Sequence, residues 1–184
     1  MKTRQRQISF LLCKEIEAII EGIKPEGARN LRDRALIQVL FSTGLRISEA
    51  LALLRKDFAD EQAGTKELTI IGKGGFQRVV FFSKPALRAI DDWVKCRRDT
   101  KPELFPVKPR GVQYMVKKRA LAVGLEKRIT PHVFRHSLAT DLLRKGVDVR
   151  MVGEFLGHRN LNNTMIYTHI TSPQLQQIHK KLYN

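Results

Sequence analysis

The chain is short of acid, of cysteine and of long apolar runs, and each shortage removes a class of function. Asp and Glu together number 18 against 34 Lys and Arg, which leaves a net charge of +16. Solubility alone does not require such an excess, so it points to a polyanionic partner, and nucleic acid is the natural one. A membrane surface is the competing polyanion, but the basic residues are spread along the whole chain and no segment joins a basic helix face to a Trp/Phe face. The few acids form no cluster of the kind that holds Mg²⁺, since Asp91 and Asp92 are neighbours in "AIDDWV" and consecutive helix positions do not face each other. Cys13 and Cys96 are the two cysteines, far apart and in no CxxC pair, so neither a disulfide framework nor a zinc site is indicated and a reducing, cytosolic setting fits. No run reaches membrane-spanning length. The start "MKTRQRQISFLLC" resembles a signal peptide only briefly, because Lys14, Glu15 and Glu17 interrupt it and no small-residue cleavage site follows. Repeats, low-complexity tracts and Pro/Ser linkers are also missing, and 184 residues suit one domain with a real core.

What is present is helical periodicity. Apolar residues at three- and four-residue spacing predict helices over 13–23, 31–44, 48–58, 86–98 and 111–124, and the chain from residue 130 onward reads as helical again. Between the third and fourth, "ELTIIG" and "QRVVFF" flank "KGGF", which predicts a hairpin with a glycine-rich tip. The expected architecture is one α-rich domain with a small antiparallel sheet.

Polar residues of one kind recur at the helix boundaries. In "TPHVFRHSLAT", Thr130 and Pro131 mark a helix start, placing His132 in the first turn and Arg135 beside it, near unpaired backbone N–H groups and the positive end of the helix dipole. Phosphate suits such a place, although the segment alone reads equally as a solvated basic turn. His132 and His136 have the spacing of a metal pair but no accompanying carboxylate or cysteine, and His136 is read as structural. In "STGLRISEA", Arg46 opens a helix with Glu49 three residues on, where a carboxylate can orient its neighbours; a plain surface ion pair is the simpler reading of that stretch. "IIGKGGF" fails as a nucleotide-binding loop at Glu67 and Gly74, which leaves Lys73 at a hairpin tip. In "FLGHRNLNNTMIYTHI", Gly157 is a helix C-cap with His158 just beyond it, and Tyr167 follows on a further short helix. Local sequence does not single out Tyr167 over Tyr114 or Tyr183. Together, two arginines, two histidines, a lysine and a tyrosine are the parts needed to break a phosphodiester without metal: cationic clamps, proton donors and acceptors, and a nucleophile.

In order and spacing, "TGLRISE", "GKG…R", "HVFRHSLAT", "LGH" and "YTH" resemble the catalytic domain of the tyrosine recombinases, or phage integrases, and the Xer group most of all. The resemblance runs from about residue 8 to the end. It implies a mainly α (α+β) fold with a small three-stranded antiparallel sheet. It implies a site-specific DNA recombinase that works through a 3′-phosphotyrosyl intermediate and a Holliday junction, with no ATP, metal or other cofactor. By this resemblance Arg46 and Arg135 clamp the scissile phosphate, His158 bonds a nonbridging oxygen, and Tyr167 is the nucleophile. Lys73 protonates the departing 5′-oxygen, His132 is the base or orienting partner of the tyrosine, and Glu49 supports the site from behind. The implied partners are double-stranded DNA and sister protomers in a homo-tetramer on DNA, with no membrane; a monomeric free state and an accessory activating protein are left open. The implied location is the cytoplasm, at the nucleoid. Residues 1–7 read as a basic extension and 8–184 as the catalytic domain, with Leu175, Ile178 and Leu182 giving 173–184 the apolar stripe of a partner-docking helix. The N-terminal clamp domain of most relatives is expected to be absent from this sequence, which then reads either as the catalytic half of a longer enzyme or as one of the short recombinases, such as the fimbrial inversion enzymes. Two other readings stay open at this point, a type IB topoisomerase-like relaxase and an inactive DNA-binding regulator of the same fold.

Overall fold

The computed structural model describes residues 10–59, 66–72, 75 and 77–157. Lys73, His158, Tyr167 and the 173–184 stretch lie outside the described residues.

Helix α1 (Cys13–Glu21) buries Ile16, Ile19 and Ile20 along one stripe, as its spacing predicts. Helix α2 (Gly27–Thr43) is the spine. It buries Ala35, Leu36, Ile37, Val39 and Leu40 around most of its girth and packs against both α4 (Lys84–Cys96) and α6 (Pro131–Arg144). A spine surrounded on several sides must neutralise any charge it carries inward. Asp33, 2% exposed, is met by Arg32 and Arg119, each at 2.7 Å. Helix α5 (Pro109–Ala122) supplies Val112, Met115 and Val116 to the same core, and Phe105 and Phe134 fill its centre. A smaller cluster of Leu138, Ala139, Leu143, Val152 and Leu156 joins α6 to α7 (Val149–Leu156).

Three expectations need correction. The predicted helix over 48–58 is broken into α3 (Ile47–Leu51) and a 3₁₀ turn, Arg55–Phe58. The cause is a strand-like contact. Leu104 N–H donates to the Leu53 carbonyl at 2.7 Å, Arg55 N–H donates to Pro102 O at 2.8 Å, and Leu54 bridges to Glu103, so this backbone is satisfied across the fold and not along a helix. The sheet has two strands among the described residues, β1 (Lys66–Ile71) antiparallel to β2 (Gln77–Phe82), where three were expected. The Leu54–Glu103 pairing stays a single bridge because the 3₁₀ turn follows it at once.

Within the hairpin the period-2 pattern decides what faces in. Val80 and Phe82 are buried while Val79 and Phe81 are exposed, so Arg78, in step with Val80 and Phe82, also points toward the core. The end of α4 likewise differs from expectation. Arg97 leaves the helix with extended backbone, and its buried guanidinium donates to the carbonyls of Lys101, Glu103 and Leu104 and pairs with Asp99. This fastens the 97–104 segment that α3 and its 3₁₀ turn lean on.

Candidate functional site

The site forms where two helices end. Helix α2 stops at Gly44, whose φ of +61° lies in the left-handed region, and a Cβ there would come 2.6 Å from Leu156 Cδ2 and 3.0 Å from Leu138 Cδ2. Glycine therefore serves twice at this turn: it adopts the turn and lets α2 approach α6 and α7. Helix α7 stops at Gly157, also left-handed with φ +67°. Last-turn carbonyls lack partners within their own helices and carry the negative end of the helix dipole, so two converging C-termini form a socket for cations.

Two arginines fill that socket. Arg135, 5% exposed, donates Nη1 to Gly44 O at 2.6 Å and Nη2 to Leu156 O. Arg46 stands at the start of α3, with its side chain about one-third exposed, and donates Nη2 to Gly157 O at 3.3 Å. The main-chain N–H of Arg46 bonds Glu49 Oε2 at 2.8 Å and its Nη1 bonds Oε1 at 2.9 Å, which closes the first turn of α3. Glu49 is itself buried and also receives Arg78 Nη1 at 3.1 Å and Nη2 at 2.7 Å. Burial pushes its carboxyl upward, but the hydrogen bonds from Arg78 and from the Arg46 main chain, with the Arg78 charge, outweigh it and hold the group at about 2. Glu49 is thus a permanent anion that fixes two guanidinium groups.

The structure brings Arg46, Arg135 and Glu49 together. The sequence places Arg135 on the surface of the first turns of α6; in the structure it turns inward, and the two arginines gather at the C-termini of α2 and α7. His132 is exposed in the first turn of α6. His136 is half-buried, and burial followed by the charges of His132 and Arg135 lowers its pKa, which favours the neutral ring. Lys73 belongs to the β1–β2 connection and His158 follows Gly157 directly, yet both lie outside the described residues, as does Tyr167. Arg78 is the site residue that the sequence reading gave no role. Its signal was a charged residue in phase with the inward Val80 and Phe82, a position that demands a buried partner. Among the described residues, no group of three or more His, Cys, Asp or Glu could hold a metal ion.

Comparison with known proteins settles the lineage. Residues 9–173 match the phage integrase family profile. The chain belongs to the phage integrase family. It is 34% identical over 189 residues to the tyrosine recombinase XerC of Pediococcus pentosaceus, covering 95% of this chain and 62% of that protein. It is 41% identical over 165 residues to the tyrosine recombinase XerA of Pyrococcus horikoshii, covering 84% of this chain and 56% of that one. Among solved structures, the XerH site-specific recombinase bound to its palindromic difH substrate, a post-cleavage complex, superposes with a TM-score of 0.80 at 28% identity over 96% of this chain and 54% of that one. The chain therefore spans less than two-thirds of the length of these members of the family.

Proposed function

We propose that this chain is the strand-cleaving part of a site-specific DNA recombinase, cutting and rejoining DNA through a 3′-phosphotyrosyl intermediate and a Holliday junction. The observation that carries the reading is the pair of guanidinium groups, from α3 and α6, anchored side by side on the carbonyl ends of α2 and α7. Planar forks held from behind suit the nonbridging oxygens of a phosphodiester in its pentacoordinate transition state, where the added negative charge develops. The Arg46 side chain, about one-third exposed, leaves this pair open to solvent.

In this mechanism the Tyr167 oxygen attacks phosphorus and loses its proton to His132, the P–O5′ bond breaks, and Lys73 gives a proton to the departing 5′-oxygen. His158 adds a hydrogen bond to a nonbridging oxygen. The energy of the broken bond is kept in the tyrosine ester, so the reverse attack by a 5′-hydroxyl reseals a strand. Similarity to the XerC and XerA recombinases and to XerH on its substrate supports this reaction class. The net charge of +16 supports duplex DNA as the partner. So does α5, which contains no Asp or Glu and exposes Arg110, Tyr114, Lys117 and Lys118 to solvent.

The same reading assigns 8–184 to the catalytic domain, with residues 1–7 as a basic extension. It has the protein act as a homo-tetramer on DNA, with 173–184 docking between protomers, at the nucleoid of the cytoplasm. The test is a covalent trap. The chain is incubated with fragmented DNA of its own replicon and denatured, and the protein-linked DNA is sequenced. One recurrent sequence, lost with Tyr167→Phe, is expected. Adducts scattered over unrelated sequences would favour a relaxase, and trapping that survives Tyr167→Phe would defeat the proposal.

A further inference from the structure

Asp33 is a buried acid that none of the steps above uses. It sits on α2 at 2% exposure, and each of its carboxylate oxygens is taken by a different arginine. Oδ1 accepts Arg32 Nε at 3.2 Å and Nη2 at 2.7 Å, from the neighbouring position. Oδ2 accepts Arg119 Nε at 3.1 Å and Nη2 at 2.7 Å, from 86 positions away on α5, and the same Nη2 also donates to Asn30 Oδ1 at 2.6 Å.

The second half of α5 has little else to hold it. Val112, Met115 and Val116 anchor the first half in the core, whereas beyond Val116 the buried stripe of the helix continues with the single methyl of Ala120. Apolar contact is non-directional, so it does not by itself fix how the helix is rolled. A planar guanidinium bound to a carboxylate oxygen and an amide oxygen does. Away from the core, the same half of α5 exposes Lys117 and Lys118. In this run of three cations, Asp33 and Asn30 hold Arg119 inward and leave the two lysines for an outside anion. The tether ends on α2, which also supplies Gly44 O to Arg135, about 16 Å further along by the rise of an α-helix. One rigid element thus carries both the tether of α5 and part of the arginine socket.

We propose that Arg119 is a positioning residue for DNA binding: held by Asp33 and Asn30, it sets the roll of α5 and so the direction in which Lys117 and Lys118 meet the duplex backbone. This rests on the reading of duplex DNA as the partner and adds to it the residue that orients one basic face.

The test is a double-mutant cycle on the duplex recovered by the covalent trap, with affinity read by fluorescence anisotropy. Lys117→Ala/Lys118→Ala removes the face and Arg119→Met removes its tether. Arg119→Met is expected to weaken binding about tenfold when the lysines are present but less than about twofold when they are alanine, because both changes then act through one face. Cleavage at saturating duplex should fall less than about threefold, whereas a loss of folded protein would lower that rate in proportion. Arg119→Lys keeps the charge and loses the fork, so it should fall between, and it carries the same cycle if thermal unfolding shows that the Met variant does not fold. A loss that repeats in full on the alanine background makes Arg119 a DNA contact in its own right and overturns the inference. So does a folded Arg119→Met protein that binds as tightly as the unsubstituted one. Affinity indifferent to Lys117→Ala/Lys118→Ala overturns it too, while the recombinase reading stands on its adduct. If no adduct forms, that reading falls, and the cycle run on a mixed-sequence duplex still decides the role of Arg119.

Discussion

Four hydrogen bonds end on the Glu49 carboxylate, and they explain how a buried acid stays charged. Its folded-state pKa of about 2 lies below the ordinary 4.5, so it contributes stability that is complete above 4.5 and is lost as pH falls through 2. Glu49→Gln should therefore cost about 3 kcal/mol at pH 7, and the two proteins should converge in urea titrations run toward pH 2. A difference that stayed constant across that range would mean the carboxylate is not ionised in the fold. In the proposed reaction Arg46 acts at the same scale, on the phosphate. Arg46→Lys keeps the charge and loses the fork, so it should lower the cleavage rate about 10²- to 10³-fold while DNA affinity, read by fluorescence anisotropy, changes far less. The Arg46–Glu49 pair was legible in the sequence because three-residue spacing on a helix brings side chains together. The Glu49–Arg78 bond was not, since its partners are separated by 29 positions and only the packing of the hairpin on α3 unites them. For the same reason the sequence placed Arg135 on a surface: nothing local says that Gly44 and Leu156 will supply its acceptors.

Helix ends build this site, and glycines decide where the ends lie. Gly44→Ala combines a left-handed φ with a methyl pressed against Leu156 and Leu138, so it should lower stability by about 2–4 kcal/mol, the sum of overpacking and backbone strain. Because Gly44 O and Leu156 O both hold Arg135, activity should fall further than the folded fraction does, which a cleavage assay normalised to folded protein would read. Helices α1, α2, α5 and α6 and the hairpin were legible from period and turn chemistry. The 48–58 segment was misread because its apolar spacing is helical while its backbone partners are at 102–104, a competition that periodicity cannot register.

Across the whole molecule, charge sets the partner. If the basic surface tracks a DNA backbone, log affinity should fall linearly with log salt, with a slope of about −0.9 for each phosphate contacted. A flat dependence would point to an acidic protein or an apolar interface instead. Among the described residues no helix is long and apolar enough to cross a membrane. The anchored arginine pair, the match over residues 9–173 to the phage integrase family and the basic excess together support the proposed chemical act, attack by a tyrosine on a DNA phosphate. The most direct test is to digest the trapped protein–DNA adduct, locate the modified peptide by mass spectrometry and assay the released strand for a free 5′-hydroxyl. The account predicts a 3′-phosphoryl nucleotide on Tyr167 and a 5′-end that accepts label from a polynucleotide kinase without prior phosphatase treatment. An adduct on another residue, or a 5′-phosphate on the released strand, would contradict it.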